Sequence, residues 1–344
     1  MNRYALNKVL FKGLRAAGVV RATQWLTRYS PRVFMYHRFG LISDGKRLGV
    51  QDFERQLLEL KARFQLMTFG DLATILASGR PVPPYVAVIT VDDGYADFYE
   101  HAFPVLRKVG VPASLYVTTG FVDRELWLWP DQLEYVLKNS EERSLKCQIS
   151  GHHFDLLLQS AAERKQAWSK FVPVLLSMPN DEMRAAIEML SARLRVSLTS
   201  EQPAEYAAAN WEQLKELSDA GIEIGPHTRT HPSLTRIPEA QLHEEIAGSK
   251  QRVEQMLGIS CRTFCYPNGT PDDVNERIKA EVTDAGFLAA AVAYFDRGVL
   301  KDTLEVRRYA VGDSAFEFAK CASGLRYLLS NNLDQSPGNP AYAS

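Results

Sequence analysis

Two short motifs in this chain combine residue types that bind metals and move protons. The first is a pair of adjacent carboxylates, Asp92 and Asp93, which ends an apolar run and is followed by Gly94. The second is a pair of histidines four residues apart, His227 and His231. Two imidazoles and one carboxylate are a usual ligand set for a divalent metal that keeps one position open for water. Together the two motifs favour a metal site.

A third motif is a Pro/Gly turn that follows a short apolar run. Its residues are Tyr266, Pro267, Asn268 and Gly269. Such a turn can aim backbone N–H groups at a developing oxyanion. The two histidines, four residues apart, are expected to meet on one face of a single helical turn. Each motif taken alone is weak evidence, because Asp, Gly and Pro are ordinary turn residues and a lone His-x-x-x-His is common. Cys261 and Cys265 lack a second cysteine pair, so they do not predict a metal site.

Alternating apolar runs and amphipathic stretches place these motifs at the ends of strands. Beyond residue 31 the pattern is typical of an α/β fold with parallel strands. We predict strands at Arg32–Tyr36, Tyr85–Val91, Ala113–Val117, Gly221–Gly225, Thr263–Tyr266, Phe287–Val292 and Leu304–Val311. We predict helices at Gln51–Phe64, Asp97–Val109, Trp211–Ala220, Glu239–Leu257 and Pro271–Ala285. Parallel α/β folds build their sites at the carboxyl ends of strands, which is where the Asp and His motifs fall.

The stretch from about residue 123 to 210 breaks this rhythm and predicts an insertion into the repeating fold. It contains Trp127, Trp129 and Trp168 and a helical segment, Asp181–Arg195. These tryptophans could line a sugar site, but the small core of the insertion is the interpretation that the composition favours.

The composition excludes several classes of protein. The chain has 344 residues, of which 46% are hydrophobic and 24% charged, which excludes a disordered, collagen-like or coiled-coil protein. A chain of this length exceeds a single core and predicts one large domain with an insertion. It has no apolar stretch long enough to span a membrane. Four scattered cysteines predict reduced thiols.

The first 30 residues differ from the rest in charge. The chain has a net charge of −1, yet its first 43 residues carry eight basic side chains and no acidic one. Residues 1–30 predict a basic amphipathic helix. Its basic face holds Lys8, Lys12 and Arg15, and its apolar face holds Leu6, Val9, Leu10 and Ala17. The helix could contact an anionic membrane or pack on the domain.

Location and partners follow from the same charge pattern. The apolar run Val9–Val20 is interrupted by basic residues, so we expect no secretory signal and a cytoplasmic protein, peripheral on the inner membrane face if the helix binds lipid. The rest of the chain is acidic, which argues against a nucleic-acid partner. Residues 313–344 predict a C-terminal helix and a flexible tail.

The three motifs, in this order and spacing, resemble those of the polysaccharide deacetylase family, the NodB-homology group of carbohydrate esterases (family 4). The matches are Asp-Asp-Gly at Asp92–Gly94, His-Thr-x-x-His at His227–His231 and Tyr-Pro-x-Gly at Tyr266–Gly269. The likeness covers roughly residues 31–122 and 208–312.

The resemblance implies a fold and a metal centre. The fold is a distorted (β/α) barrel of the NodB-homology type over residues 31–312, with a largely helical insertion at 123–210. One divalent metal would be held by Asp93, His227 and His231. Zinc is the default for these ligands, although Co, Ni, Fe or Mn would suit them.

The resemblance also assigns roles in hydrolysis. Asp92 would be the general base that takes a proton from metal-bound water, the nucleophile. The oxyanion would be shared by the metal and the backbone N–H of Asn268 in the Tyr266–Gly269 turn.

Two departures from the family pattern lead to two further assignments. The late Leu-x-x-His motif is absent, since no histidine follows His243, but a branch of the family places its general acid in a Tyr-His pair on the first strand. The pair here predicts His37 as the general acid. Cys265 occupies the position of the usual base-orienting arginine. Arg308 on the strand predicted at Leu304–Val311 would compensate, with Arg307 pointing oppositely, into solvent or helices.

The sequence thus predicts a metal-dependent hydrolase that removes N-acetyl groups from an amino sugar in a polysaccharide or lipid-linked glycan precursor. One alternative is a deacylase or deformylase of another sugar or small-molecule amide. A second alternative is a non-catalytic carbohydrate-binding module on the same scaffold.

Overall fold

The wall of the molecule is a set of parallel strands whose carboxyl ends share one edge. The computed structural model of the protein describes residues 18–199 and 202–330. Its strands are β1 (Arg32–Tyr36), β2 (Phe39–Gly40), β3 (Leu48–Gly49), β4 (Gln65–Met67), β5 (Val86–Val91), β6 (Ser114–Val117), β7 (Ser144–Ile149), β8 (His152–Leu157), β9 (Glu223–Pro226), β10 (Thr263–Cys265), β11 (Ala289–Ala291) and β12 (Tyr309–Ala310).

Helices connect these strands. The α-helices are α1 (Val19–Leu26), α2 (Val50–Lys61), α3 (Phe69–Ala77), α4 (Phe103–Val109), α5 (Thr119–Val122), α6 (Trp129–Asn139), α7 (Ala161–Leu176), α8 (Asn180–Arg193), α9 (Trp211–Asp219), α10 (Glu239–His243), α11 (Ser249–Leu257), α12 (Glu276–Asp284), α13 (Ala315–Ala322) and α14 (Leu325–Leu329). π-Helical turns at Phe98–Ala102 and Glu244–Gly248 lead directly into α4 and α11.

The parallel ladders form an incomplete barrel. One sheet has the order β12-β1-β5-β6-β9, and β4 adds to β5. A separate parallel pair, β10 and β11, continues the wall. The gap between β9 and β10 is spanned by side chains, because the Thr263 hydroxyl lies 3.0 Å from Oε1 of Glu223 and 2.9 Å from the Tyr116 hydroxyl. The wall is thus a distorted barrel.

Local sequence explains the sheet and the ends of its helices. Every residue of β5, Val-Ala-Val-Ile-Thr-Val, is buried, as expected for a central parallel strand covered on both faces. Capping boxes begin α3 at Thr68, α7 at Ser160 and α9 at Asn210. The buried apolar run accounts for β5, and the capping boxes account for where these three helices begin.

Several predicted elements differ from the structure. The strand predicted at Leu304–Val311 is wrong, since residues 303–305 form a 3₁₀ turn and only Tyr309–Ala310 pairs as a strand. The helix predicted at Glu239–Leu257 is interrupted by a π-helical turn. The Asp97–Val109 and Pro271–Ala285 helices likewise begin as a π-helical and a 3₁₀ turn.

The insertion has a hydrophobic core of its own. A large cluster of buried side chains fills the barrel and its surrounding helices. A second cluster belongs to α6, the β7–β8 hairpin, α7 and α8, and includes Trp129 and Phe171. The insertion therefore contains a two-stranded antiparallel hairpin as well as helices.

The ends of the chain are described only in part. The predicted basic face (Lys8, Lys12 and Arg15) and apolar face (Leu6, Val9, Leu10 and Ala17) lie outside the described residues, as do residues 331–344. The described remainder of residues 1–30 contains α1, which buries Val20 and Thr23. None of the helices in the described ranges has the length and apolar character that crossing a bilayer requires.

Candidate active site

Asp92 and Arg308 form a buried bidentate ion pair at the carboxyl end of the sheet. The two guanidinium nitrogens of Arg308 each lie 2.7 Å from a different carboxylate oxygen of Asp92. Arg308 is fully buried and donates further hydrogen bonds to Oγ1 of Thr90 (2.9 Å) and the carbonyl of Val292 (2.8 Å). This fork geometry fixes the carboxylate plane while leaving each oxygen a lone pair.

The ion pair controls the charge of Asp92. Burial alone would raise the pKa of Asp92, but the Arg308 guanidinium and its hydrogen bonds lower that pKa below its ordinary value. Burial would lower the pKa of Arg308, and Asp92 raises it instead. The site therefore holds an ionised carboxylate in a buried position, as a proton acceptor requires.

A second cluster lies beside this pair. Ligand atoms of Asp93, His227 and His231 lie within 4.8 Å of one another, and all three residues are buried. The Nε2 atoms of His227 and His231 lie 3.6 and 3.4 Å from Oδ1 of Asp93. The structure thus brings together the three residues predicted to hold the metal.

The protonation states of this cluster suit a metal. Burial lowers the pKa of His227 to about 4, against the opposing effect of Asp92 and Asp93. The imidazole is therefore neutral at neutral pH. The surrounding imidazoles hold the pKa of Asp93 well below its usual range despite burial. A neutral imidazole at His227 and an ionised carboxylate at Asp93 are the forms that bind divalent metals.

The backbone orients one of these ligands. Nδ1 of His227 lies 2.7 Å from the carbonyl oxygen of Cys265, so Nδ1–H donates to it and Nε2 keeps its lone pair toward Asp93. The last residue of β10, which directly precedes the third motif, thus orients a histidine of the second motif. Cys265 takes no part in this contact through its thiol.

The buried polar atoms of the cluster test whether a metal fits. Oδ1 of Asp93 and both ring nitrogens of His231 have no hydrogen-bond partner within the described ranges. Leaving such atoms buried and unpaired costs about 1–3 kcal/mol each. A divalent cation would satisfy them, so this donor set fits a metal.

A neighbouring combination of residues fits less well. Asp92, His227 and Cys265 also bring ligand atoms within 4.8 Å. However, both oxygens of Asp92 are already engaged by Arg308, and burial holds the pKa of the Cys265 thiol well above its ordinary value. The Asp93, His227 and His231 cluster is therefore the better site.

Glu245 holds the loop that carries the two histidines. Its carboxylate accepts hydrogen bonds from the backbone N–H groups of Arg229 (2.9 Å) and Thr230 (2.8 Å) and from the Thr230 hydroxyl (2.6 Å). Glu245 is buried and sits on the π-helical turn that precedes α11. The loop is irregular, so the expectation that the histidines share one helical turn is wrong.

Several residues of the site have a left-handed backbone conformation, which residues other than glycine rarely adopt. Asp93 (φ 78°), Thr228 (65°), His231 (58°) and Asn268 (57°) all have left-handed conformations. Gly94 has φ 92°, and a Cβ there would lie 2.9 Å from Cγ1 of Val117. Such strain persists where the surrounding structure enforces it, commonly at functional sites.

His37 lies beside the carboxylate of Asp92. The backbone N–H of Asp92 donates to the carbonyl of Tyr36 (3.0 Å), which sets the ends of β1 and β5 side by side. Nε2 of His37 consequently lies 3.8 Å from Oδ2 of Asp92, and the side chain is 17% exposed. It is the most accessible of the ionisable groups at the site.

The third motif is only partly at the site. The ring of Tyr266 lies in the barrel core, and a Cβ on Gly269 would clash with the backbone of Ala293. Neither side-chain polar atom of Asn268 has a partner in the described part of the chain. The oxyanion role of Asn268 and the substrate contacts of Tyr266, Pro267 and Gly269 stay predictions.

Arg307 and the insertion tryptophans also have defined positions. Arg307 is buried and pairs with Asp296 and Glu305, so the expectation that it points into solvent or helices is wrong. Trp127 and Trp129 are buried and Trp168 is half-buried.

Some contributors to the site were not predicted from the sequence. Thr90 accepts a hydrogen bond from Arg308, and the Cys265 carbonyl accepts one from His227. Glu245 holds the loop that carries the histidines. A threonine two residues before Asp92 on a strand was a usable signal, since alternate residues share a face. No sequence signal points to Glu245, because its hydrogen-bond partners include backbone groups of a loop that is distant in the sequence.

Comparison with known proteins now adds to this geometry. The sequence model described as polysaccharide deacetylase matches residues 79–168 and 177–290. This chain belongs to the polysaccharide deacetylase family. The likeness predicted from the motifs covers residues 31–122 and 208–312. The matched region differs from it, because it includes most of the insertion and ends at residue 290.

One relative is YxkH from Bacillus subtilis (strain 168), named as a polysaccharide deacetylase. It is 28% identical over 116 residues, which are 32% of this chain and 40% of that protein. The matched segment therefore spans less than half of that relative's length.

Solved structures of the polysaccharide deacetylase type share the fold. The Streptococcus pyogenes deacetylase PplD in complex with acetate has a TM-score of 0.54 at 15% identity, covering 82% of this chain and 92% of that chain. IcaB from Ammonifex degensii has a TM-score of 0.54 at 19% identity, covering 85% of this chain and 97% of that chain. The predicted fold class is confirmed.

Proposed function

We propose that this polysaccharide deacetylase family member is a metal-dependent hydrolase that removes N-acetyl groups from an amino sugar in a polysaccharide or lipid-linked glycan precursor. The observation that carries the proposal is the adjacency of two sets of buried groups. One set is the Asp93, His227 and His231 cluster, and the other is the Asp92–Arg308 pair with His37 beside it.

Asp93, His227 and His231 would hold the metal. A divalent ion there supplies Lewis acidity, which polarises the acyl carbonyl and lowers the pKa of a water molecule. The donor set favours zinc, and Co, Ni, Fe or Mn would also suit it. Cys265 contributes through its carbonyl, which fixes the tautomer of His227.

The side chains of this chain move the protons. Asp92, kept ionised by Arg308, accepts a proton from the attacking water, and Arg308 keeps the accepting oxygen in a fixed plane. His37 donates a proton to the leaving amine nitrogen from the accessible side of the site. The backbone N–H of Asn268 would donate to the developing oxyanion.

The test uses Asp92→Asn, in which the side chain keeps its shape but loses its basicity. We expect acetate release from N-acetylated oligosaccharides to fall by about 10²–10⁴-fold, the usual contribution of a general base, with metal content unchanged. Asp219→Asn, on the exposed face of α9, is the matched control and should retain activity. Glycan binding with metal but without acetate release from the wild type would instead favour a binding module. Release of another acid would favour a deacylase or deformylase.

We also propose that residues 1–30 contact an anionic membrane. In support, Trp25, Leu26 and Tyr29 are exposed at the end of α1, and the guanidinium of Arg28 lies over the rings of Trp25 (4.3 Å) and Tyr29 (4.7 Å). Aromatic and basic side chains together suit a membrane interface. Trp25→Ser should reduce sedimentation with phosphatidylserine vesicles. Equal sedimentation of the variant and the wild type would contradict the proposal.

A further inference from the structure

A single cleft joins the candidate active site to the insertion. Its volume is about 540 Å³, and its lining begins at His37 and Asp93 and continues to Lys165 and Trp168 on α7. This volume is in the range of sites that enclose extended ligands. One wall belongs to the barrel and the other to the insertion, so a substrate held at the catalytic groups would extend along α7.

Helix α7 turns one side toward this cleft. Ala161, Arg164, Lys165 and Trp168 all line it, and their spacing places them on one face of the helix. Further along α7 the same face continues with Phe171 and Leu175, which are buried in the second core. The insertion core thus fixes the helix, and the helix presents a defined surface to the cleft.

Trp168 is a rigid aromatic surface on this wall. Its indole N–H donates a hydrogen bond to the carbonyl of Pro130 on α6 (3.3 Å), and part of the ring packs against the second core. The remainder lines the cleft. A fixed, half-buried indole offers apolar area to the C–H face of a sugar ring at little entropic cost.

The insertion end of the cleft carries positive charge without a paired carboxylate. Lys46 pairs with Glu134, and Lys138 pairs with Glu205. By contrast, within residues 18–199 and 202–330 no carboxylate lies within 4.0 Å of Arg164 or Lys165.

The surroundings of these two residues reinforce the charge. Arg164 donates to backbone carbonyls, those of Leu137 and Glu142, which leave its charge uncompensated. Both residues lie in the first turns of α7, whose N-terminal end adds a partial positive charge. Uncompensated charge in a cleft attracts an anion more strongly than the same charge on an open surface.

We propose that α7 of the insertion binds a second part of the substrate, a negatively charged group of the glycan seated against Arg164 and Lys165, while a sugar ring stacks on Trp168. This inference rests on the proposed deacetylase function and names its substrate class: an N-acetylated sugar linked to a carboxylate- or phosphate-bearing group. The anion has two chemical sources, a uronic acid in the chain or a phosphate linkage at the sugar.

The experiment measures binding in Asp92→Asn protein by calorimetry, so that turnover is not required. The probes are N-acetylated chitotetraose (uncharged), a hyaluronan tetrasaccharide (uronate) and UDP-N-acetylglucosamine (diphosphate). We expect one charged probe to bind more tightly than chitotetraose, and its identity tells which source the site accepts. Lys165→Glu should weaken that probe by roughly fivefold, and added salt should reduce the difference.

Lys170→Glu is the matched control, because Lys170 lies on the exposed opposite side of α7 and does not line the cleft. Equal effects of Lys165→Glu and Lys170→Glu, or equal affinity for all three probes, would overturn the inference. Trp168→Phe should weaken every probe that spans the cleft, and unchanged affinities would overturn the stacking part. If the wild type releases no acetate but binding still depends on Lys165, the deacetylase proposal fails, and only the anion site on α7 stands.

Discussion

The barrel site buries its charged side chains, whereas the insertion leaves most of its charged side chains exposed. At the barrel site Asp92, Asp93, His227, His231 and Arg308 are all buried. Within the described residues of the insertion, Asp131 on α6 is the one buried charged side chain, and the basic side chains line a cleft or face solvent. Burying ionisable groups is costly unless each has a partner, so every barrel group depends on its neighbours.

This difference suggests that the barrel carries the catalytic groups and that the insertion contributes to substrate recognition. The barrel groups form one network in which the loss of a member changes the pKa or the geometry of another. The core of the insertion is held by apolar packing, so Arg164, Lys165 and Trp168 in the cleft can change without disturbing the network. Substrate range is therefore expected to follow the insertion, and reaction type the barrel.

The largest effect is expected from removing a metal ligand. His227→Ala should abolish stoichiometric metal binding and lower kcat/KM by roughly 10⁴-fold, because Lewis acidity contributes several kcal/mol to catalysis. Metal analysis of protein purified without chelator measures the first effect, and acetate release the second. The exposed His243→Ala should change neither. Retention of metal by His227→Ala would contradict the assigned ligand set.

The independence of the two cores can be tested by a cavity in the insertion. Phe171 is fully buried, with its ring centroid 4.6 Å from that of Phe154. Phe171→Ala should destabilise the insertion by about 3–5 kcal/mol. Hydrogen exchange should show faster exchange in residues 129–194 alone, with metal binding retained. Leu157→Ala, at an exposed position, is the control. Uniform loss of protection across the barrel would show that the two regions unfold together.

Coupling within the barrel predicts a shift in pH dependence. Burial raises the pKa of Asp92 and Arg308 lowers it, so Arg308→Gln removes the largest lowering effect and leaves the smaller ones of His227 and His37 against burial. The pKa of Asp92 then rises, and the acid limb of the kcat/KM profile moves to higher pH, with a loss of roughly a hundredfold near pH 6.

The neighbouring Arg307→Gln supplies the control, because Arg307 pairs with Asp296 and Glu305 away from the site. It should leave the position of the acid limb unchanged. An acid limb that stays in place in Arg308→Gln would show that Arg308 does not set the charge of Asp92.

A smaller effect is expected from the support of the histidine loop. Glu245→Ala removes three hydrogen bonds from Arg229 and Thr230 and should raise the Kd for zinc by roughly 10–100-fold, as loss of a metal-orienting residue does. Competition with a chromophoric chelator measures this. Glu245→Gln should recover part of the affinity. Glu244→Ala, beside it and exposed, is the control. Equal zinc affinity in all variants would remove Glu245 from the site.

Much of the barrel could be predicted from the sequence because its signals are local. Strands β1, β5 and β6 are continuous apolar runs, and the carboxylates that follow β5 lie at the sheet edge as predicted. Two missed elements also carried local signals. Thr68 and Asp71 form the capping box of α3, and Ser150-Gly151 forms the turn between β7 and β8.

Other features depend on contacts between distant residues and could not be predicted. Arg308 was assigned from alternation along a strand that the structure lacks, yet it reaches Asp92 because the chain before β12 lies against β11. The irregular histidine loop is held by hydrogen bonds from the backbone of Arg229 and Thr230 to Glu245, which lies 15–16 residues further along the chain. The positions of Arg164 and Lys165 in a cleft depend on how α7 packs, which their spacing alone does not give.

The left-handed backbone of the site has a consequence for engineering this protein. Thr228 is β-branched and adopts φ 65°, which costs on the order of 1–2 kcal/mol relative to a residue that tolerates this conformation. Thr228→Gly would remove this strain. The same change removes the hydroxyl that accepts the backbone N–H of His231 (3.1 Å) and so loosens a candidate metal ligand. Relief of strain in this loop is thus opposed to the positioning of a candidate metal ligand, so stability and activity should be scored together when the loop is changed.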